Sequence, residues 1–229
     1  HLLPPDAGTP SRHALHALGL AVVDRQGYEP RRPGDLIYVT ENDVRVLNTY
    51  RASYPEADPQ RSAAAARIMT DHLTLMFPDP VKRGILLDWF SWVLRNPGEK
   101  VRWHVFVQGA QGCGKSLVCE AFRVCVGPTN GRKVSPAMLM EKFNLWASNI
   151  LFAYFEEVLV GERQKDTMET VKDLVTGATV NIRAMRSDAV EMPNLLNGVF
   201  LSNHHHGLRL SRDDRRFFCL CAAQQTKEE

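Results

Sequence analysis

The chain has 229 residues, 44% hydrophobic and 24% charged, with a formal net charge of +2. That length can bury a sizeable core and the balance is that of a soluble globular protein, which excludes disordered and fibrous classes. No apolar run approaches the roughly 18 residues needed to span a bilayer, so no membrane partner is expected.

No secretory signal opens the chain, and five cysteines form no CxxC pair. A reducing, cytoplasmic setting with free thiols is therefore expected rather than a disulfide framework. Cys119, Cys125, Cys219 and Cys221 read as small buried hydrophobes. A start at His1 rather than Met points to a segment of a longer polypeptide. So small a net charge neither supports nor excludes a nucleic-acid partner.

In chain order, residues 1–57 read as an irregular lead-in, broken by Pro-Pro, Gly-Tyr-Glu-Pro and Arg-Pro-Gly, with one or two short strands such as that in "LIYVT". Residues 58–98 read as two helices, "DPQRSAAAARIMTDHLTLMF" and "DPVKRGILLDWFSWVLRNPG", each with Asp at N-cap and Pro at its first position. The first is expected to bury Ala65, Ile68, Met69, His72 and Met76, with His72 a packed core residue. The second is expected to bury Ile85, Leu86, Trp89 and Val93, and Asn96-Pro97-Gly98 stops it.

Residues 99–229 change texture. "WHVFVQG" reads as a strand, "KSLVCEAFRVCVG" as a helix, "SPAMLMEKFNLW" as a Ser-capped helix and "NILFAYFEEV" as a buried strand. "KDTMETVKDLVTG" is a helix ended by Gly177, and "ATVNIRAM", "GVFLSN" and "FFCLC" are strands. Continuous apolar strands alternating with helices predict an α/β domain, a parallel sheet flanked by helices and preceded by a small, mainly helical region.

Three motifs carry chemistry. "GAQGCGKS" fits the pattern G-x-x-x-x-G-K-[ST] between a strand and a helix. Backbone N–H groups of Gly109, Ala110, Gln111, Gly112, Cys113, Gly114, Lys115, Ser116 and Leu117 are candidates to cradle a polyphosphate at a helix N-terminus. Lys115 would reach the β- and γ-phosphates and the Ser116 hydroxyl would hold Mg²⁺, so ATP and Mg²⁺ are the expected cofactors. In "NILFAYFEEV", Glu156 is a metal ligand and Glu157 the group that deprotonates an attacking water; two exposed acids at a strand end is the plainer alternative. The forty residues between the two motifs suit a strand lying beside the phosphate-loop strand. In "GVFLSNHHHGLRLSRDDRRFF", Asn203 closes a strand at the edge where open α/β sheets bind ligands. Arg215 and Arg216 read either as finger residues for a neighbouring subunit's nucleotide or as a salt-bridge cluster with Asp213 and Asp214. His204, His205 and His206 point alternately on extended backbone and so converge poorly on one metal. They read as a polar loop beside the nucleotide, with His204 a candidate sensor.

Together, the order of phosphate loop, acidic strand, Asn-terminated strand and downstream arginine resembles the superfamily 3 helicases fused to primases in phages, plasmids and large DNA viruses. The resemblance covers about residues 80–221. It implies an AAA+-like P-loop ATPase core and a homo-hexameric ring with an arginine finger in trans. It also implies a covalently linked primase region, and single-stranded or forked DNA as partner. On it Lys115, Glu156, Glu157 and Asn203 are catalytic, with Arg215 or Arg216 the finger and Arg215 preferred. Lys172, Arg183 and Arg186 fall in the segment that forms a central-channel hairpin touching DNA, or else are a solvated face. A hexamer would multiply two or three basic residues per subunit around one pore, so weak overall charge is compatible with DNA. The function expected is an ATP-dependent DNA helicase motor of phage or mobile-element replication. The rivals are a P-loop ATPase that packages or loads nucleic acid without unwinding it, and a low-turnover nucleotide-binding scaffold.

Overall fold

The computed structural model describes residues 21–54, 58–141, 144–157, 165–183, 188–204, 208, 210–211 and 213–226. The chain divides into two units, 1–51 and 52–229. In the first, strands β1 (Arg25–Gly27), β2 (Ile37–Val39) and β3 (Arg45–Asn48) form a sheet ordered β1-β3-β2. One or two strands were expected and three are present. Arg25–Gly27 has no apolar side chain and Arg45–Asn48 only two, Val46 and Leu47, so composition hides them. Asn48 holds this sheet's loops: its amide donates to Glu29 O and Arg32 O and its Oδ1 accepts from Glu29 N and Tyr50 N.

The second unit opens on α1 (Pro59–Met76) and α2 (Pro80–Arg95). Both caps are as expected: Asp58 accepts from Gln60 N and Arg61 N, and Asp79 from Val81 N and Lys82 N. The packing of α1 is not. Ala65 and Ile68 are exposed, Met69 and His72 half-buried, and only Leu73 and Met76 are buried. The helix packs through its last turn, where Met76 O accepts from Ala223 N at 2.8 Å. In α2, Leu86, Trp89 and Val93 are buried as expected and Phe90 joins them, while Ile85 is exposed.

Strands β4 (His104–Gln108), β5 (Gly131–Val134), β6 (Phe152–Phe155), β9 (Asn197–Ser202) and β10 (Phe217–Cys221) form a five-stranded sheet in which every pair is parallel, ordered β10-β4-β9-β6-β5. The α/β class with a helix-flanked parallel sheet is as expected. One placement differs: β9 is inserted between β4 and β6, so the acidic strand does not adjoin the phosphate-loop strand. Sequence distance cannot see this, because the chain returns through β9 after leaving β6.

Alternate residues of β6 feed two cores, which is why the run is apolar throughout. Phe152 stands edge-on to Phe122 of α3 (Lys115–Val126), with centroids 4.7 Å apart, and Phe122 in turn meets Phe90 of α2 at 4.2 Å. On the other face Phe155 stacks on Phe200 at 4.2 Å and 3°, beside Trp146, Val171 and Val175. The Ser-capped helix is shorter than expected. It spans α4 (Pro136–Met140), with Ser135 Oγ accepting from Met138 N, and a single 3-10 turn at Leu145–Ala147 follows. Cys119 is buried, but Cys125, Cys219 and Cys221 are exposed, contrary to expectation: they lie on helix and edge-strand faces that no described element covers. Among the described residues no helix is long and apolar enough to cross a membrane.

Helix α5 (Lys165–Thr176) leads into an antiparallel hairpin of β7 (Thr179–Ile182) and β8 (Val190–Pro193). Its root is tied down by three buried or half-buried polar side chains. Asn194 donates to Leu174 O and Gly177 O. Asn197 accepts from Val101 N and donates to Glu99 O. Lys100 Nζ donates to Leu174 O at 2.7 Å and Leu196 O at 2.6 Å.

Burial brings the Lys100 ammonium down to about 7 from its ordinary 10.5. Between those values the unfolded chain binds the extra proton, so stability rises with pH across the window, by at most about 1.4 kcal/mol per unit. Urea unfolding from pH 7 to about pH 8.5 should show the wild type gaining on Lys100→Met as pH rises. Parallel pH profiles would contradict this.

Candidate active site

The phosphate loop leaves β4 at the carboxyl edge of the sheet. Gly112 (φ +95) and Gly114 (φ +92) take left-handed backbone that only glycine adopts readily, and a side chain at Gly114 would run into the His72 ring. The loop is braced behind by Gly109 N, which donates to Ser202 O, and by Ala110 N, which donates to Gln224 O at 2.9 Å. Lys115, the first residue of α3, is buried, and its Nζ donates to Gly109 O at 2.8 Å and Ala110 O at 2.6 Å. Among the described residues it meets no carboxylate. A buried ammonium held by two carbonyls and, more weakly, by Cys113 Sγ at 3.6 Å, with no anion beside it, is suited to an incoming one.

Glu156 follows β6 directly, its N–H extending the ladder to Val134 O at 3.1 Å. Lys133 on β5, a residue the sequence reading did not single out, pairs with it, Nζ to Oε2 at 2.6 Å. Register explains the meeting: Lys133 lies opposite Tyr154, two residues before Glu156 and on the same side of the strand. Glu157 is exposed and left-handed (φ +50), a conformation that costs a non-glycine residue about 1 kcal/mol or more and turns it out of the strand. Asn203 is exposed just beyond β9, where Ser202 Oγ accepts from His204 N and bends the chain. Behind these acids Tyr154 donates to Glu120 Oε2 at 2.9 Å, and Arg123 holds the Glu120 carboxyl below its usual range.

The structure brings together most of the residues singled out in the sequence. Gln111, Gly112, Gly114, Lys115, Ser116, Leu117, Glu156, Glu157 and Asn203 all line one cavity of about 290 Å³. Ser116 and Glu156 supply a hydroxyl and a carboxylate on its wall, enough for a Mg²⁺ that takes its other ligands from phosphate and water. His204 is exposed, while His205 and His206 lie outside the described residues.

The arginines sit elsewhere. Phe217 of β10 is in register with His104, so Arg215 and Arg216 lie at the amino edge of the sheet, and the phosphate loop lies at the carboxyl edge. The five residues of the strand put about 16 Å between those edges. Arg216 is partly engaged: its N–H donates to Asp214 Oδ1 at 3.0 Å, its Nε stands 3.7 Å from the same oxygen, and its carbonyl accepts from His104 N. Arg215 is exposed. Both line a second cavity, of about 950 Å³, with Arg102, Trp103 and Lys172.

Of the residues assigned to DNA, Lys172 is on α5 rather than on the hairpin and pairs with Glu169 at 2.8 Å. Arg183 is exposed at the end of β7, where its N–H donates to Asn144 Oδ1. Arg186 lies outside the described residues.

A profile for a family of unknown function, DUF5906, matches residues 107–216, which include the phosphate loop, β5, β6 and β9. The chain is 23% identical over 206 residues to a DNA primase-polymerase of Nitratiruptor phage NrS-1, covering 88% of this chain and 28% of that protein. The apo structure of the C-terminal region of NrS-1 superposes with a TM-score of 0.73 at 20% identity, covering 89% of this chain and 49% of that one. A second apo form superposes at 0.71. The chain therefore spans about half of that solved region and shares its fold. The resemblance to phage primase-helicase proteins, drawn from the motifs, agrees with this relationship.

Proposed function

We propose that this chain is the ATP-hydrolysing helicase motor of a phage or mobile-element replication protein, acting as a ring on single-stranded DNA in the host cytoplasm. The observation that carries the reading is the convergence of Lys115, Ser116, Glu156, Glu157 and Asn203 on one cavity at the carboxyl edge of a parallel sheet. Backbone N–H groups of the glycine loop receive the phosphates at the N-terminus of α3. Lys115 exchanges its two carbonyl partners for phosphate oxygens. Ser116 and Glu156 hold Mg²⁺, which supplies charge neutralisation on the phosphates when bound. That role requires Glu156 to share or leave Lys133. Glu157 takes a proton from the attacking water, and the Asn203 amide donates to the γ-phosphate and orients that water.

The phage relative is a DNA primase-polymerase by name, and a linked primase region in this protein belongs to the same proposal. On this reading Arg183, beside the end of a hairpin strand, would meet the DNA backbone in the ring's channel.

Glu157→Gln keeps the size and the hydrogen bonding of the side chain and removes the base. ATP turnover should fall at least about 100-fold, the low end of general-base contributions, while ATP binding persists. Turnover unchanged in Glu157→Gln would favour the low-turnover scaffold. A strand-displacement assay on forked DNA separates motor from loader, since a loader hydrolyses ATP and releases no strand.

A further inference from the structure

The carboxylate read above as a Mg²⁺ ligand already holds a cation. Glu156 Oε2 takes the Lys133 ammonium at 2.6 Å, and the two side chains differ in exposure, 55% for Lys133 and 22% for Glu156. A carboxylate so far withdrawn from water needs a positive partner, whereas an ammonium open to solvent gives one up at little cost. In the proposed reaction Mg²⁺ stands beside that same carboxylate, and an ammonium left in contact with it would repel the metal.

A second acid stands ready to receive the ammonium. On α3, Glu120 lies one helical turn behind Ser116, and on β6, Tyr154 lies two residues behind Glu156. Each step is about 6–7 Å, so the two rows keep pace along the sheet. Their front members, Ser116 and Glu156, line the phosphate cavity. Their rear members touch, the Tyr154 hydroxyl donating to Glu120 Oε2 at 2.9 Å. Lys133 is in register with Tyr154 and so stands beside this rear contact. Glu120 is half-exposed and is fixed by Arg123, whose Nη2 donates to Oε1 and whose Nε donates to Oε2 at 2.9 Å. Its carboxyl is held below the usual range by Arg123 first, then by Tyr154 and the charge of Lys133, so the ammonium is already within its field.

We propose that Lys133 is a positioning residue that occupies the Glu156 carboxylate until Mg²⁺ and nucleotide arrive, and then transfers to Glu120. The inference rests on the reading of Glu156 as a Mg²⁺ ligand and adds how that ligand is kept and released. With no nucleotide bound, the ammonium balances the charge of Glu156 and holds Oε2 against stray cations. When Ser116 and Glu156 take the metal, Lys133 swings back on its long flexible stem by about 6–7 Å, one step along the strand, and pairs with Glu120. No ion pair is lost in the exchange, and a nucleotide without its metal leaves Lys133 where it is. Lys133 thereby sets the Mg²⁺ concentration at which nucleotide is held, acting through Glu156 and touching neither phosphate nor metal.

The test is equilibrium binding of a non-hydrolysable ATP analogue as Mg²⁺ is raised, in the wild type, Lys133→Met, Lys133→Arg, Glu120→Gln and the double variant Lys133→Met/Glu120→Gln. Lys133→Met keeps the reach of the side chain and removes its charge. It should bring the half-saturating Mg²⁺ down about threefold, the scale of a solvent-exposed ion pair, while Lys133→Arg should stay near the wild type. Glu120→Gln should raise the half-saturating Mg²⁺ by a similar factor, yet have no effect on it in the Lys133→Met background, where there is no ammonium to receive. That failure of additivity is one a general loss of stability would not produce. If Lys133→Met leaves the Mg²⁺ requirement unaltered or raises it, the exchange is overturned while Glu156 stands as a metal ligand. The same holds if Glu120→Gln fails to raise it or acts equally in both backgrounds. If the wild type binds the analogue equally well in Mg²⁺ and in EDTA, or not at all, the reading of the site itself falls and the exchange with it.

Discussion

Lys115→Ala is expected to reduce ATP hydrolysis at least about 100-fold and to weaken binding of tripolyphosphate as well as of ATP. The magnitude follows from the bonds removed. The ammonium makes two carbonyl bonds, at 2.8 and 2.6 Å, and on the proposed reading transfers them to phosphate oxygens. Charge-assisted hydrogen bonds contribute about 1.5–3 kcal/mol each, so losing two costs 10²-fold or more. The fold should survive, because the side chain closes no ion pair among the described residues and its helix is anchored by Val118, Cys119, Phe122 and Val126. Thermal unfolding of the variant alongside its ATPase rate checks both halves. A variant that kept full DNA-stimulated turnover would remove the basis of the proposed function.

The carboxyl-edge chemistry was legible in the sequence because each part is local. A glycine loop, two acids after an apolar run and an asparagine closing a strand are each written in consecutive residues, and parallel pairing then brings the strand ends to one edge. Relations between strands were not legible. The insertion of β9 between β4 and β6, and the pairing of Lys133 with Glu156, depend on sheet order and register. Strand β5, "GRKV", is too short and too polar to announce itself, and Lys133 is hidden with it. The buried face of α1 is hidden in the sequence for a related reason. An Ala-rich helix shows helical spacing all round, and what it buries depends on where its last turn meets the chain after β10. His72, read as core packing, is instead half-buried against Gly114 with Nε2 unpaired.

Sheet order also decides what the arginines can do. Parallel pairing of β10 with β4 puts residues before β10 at the edge opposite the phosphate loop, about a strand length away. An arginine side chain does not span that separation, so neither Arg215 nor Arg216 can reach the phosphate-loop cavity of its own chain. If either stabilises the transition state, it does so on a neighbouring subunit. Arg216 is held by Asp214 and by the start of β10, and it supports the edge; exposed Arg215 is the residue able to cross.

Arg215→Ala should therefore lower turnover about 1,000-fold in the DNA-bound assembly, the lower end of arginine-finger effects, with ATP affinity little changed. Arg216→Ala should instead show its main loss in thermal stability. Mixing separates action in trans from any indirect effect. Lys115→Ala chains carry an intact Arg215, and Arg215→Ala chains carry an intact phosphate loop. Each protein alone is inactive, but wherever the two meet in the right order one interface holds a complete site. Turnover should return on mixing to a substantial fraction of wild type and disappear again on dilution below the assembly concentration. Two inactive variants that stay inactive when co-assembled, with mixed oligomers confirmed by native mass measurement, would exclude Arg215 as a finger acting between subunits.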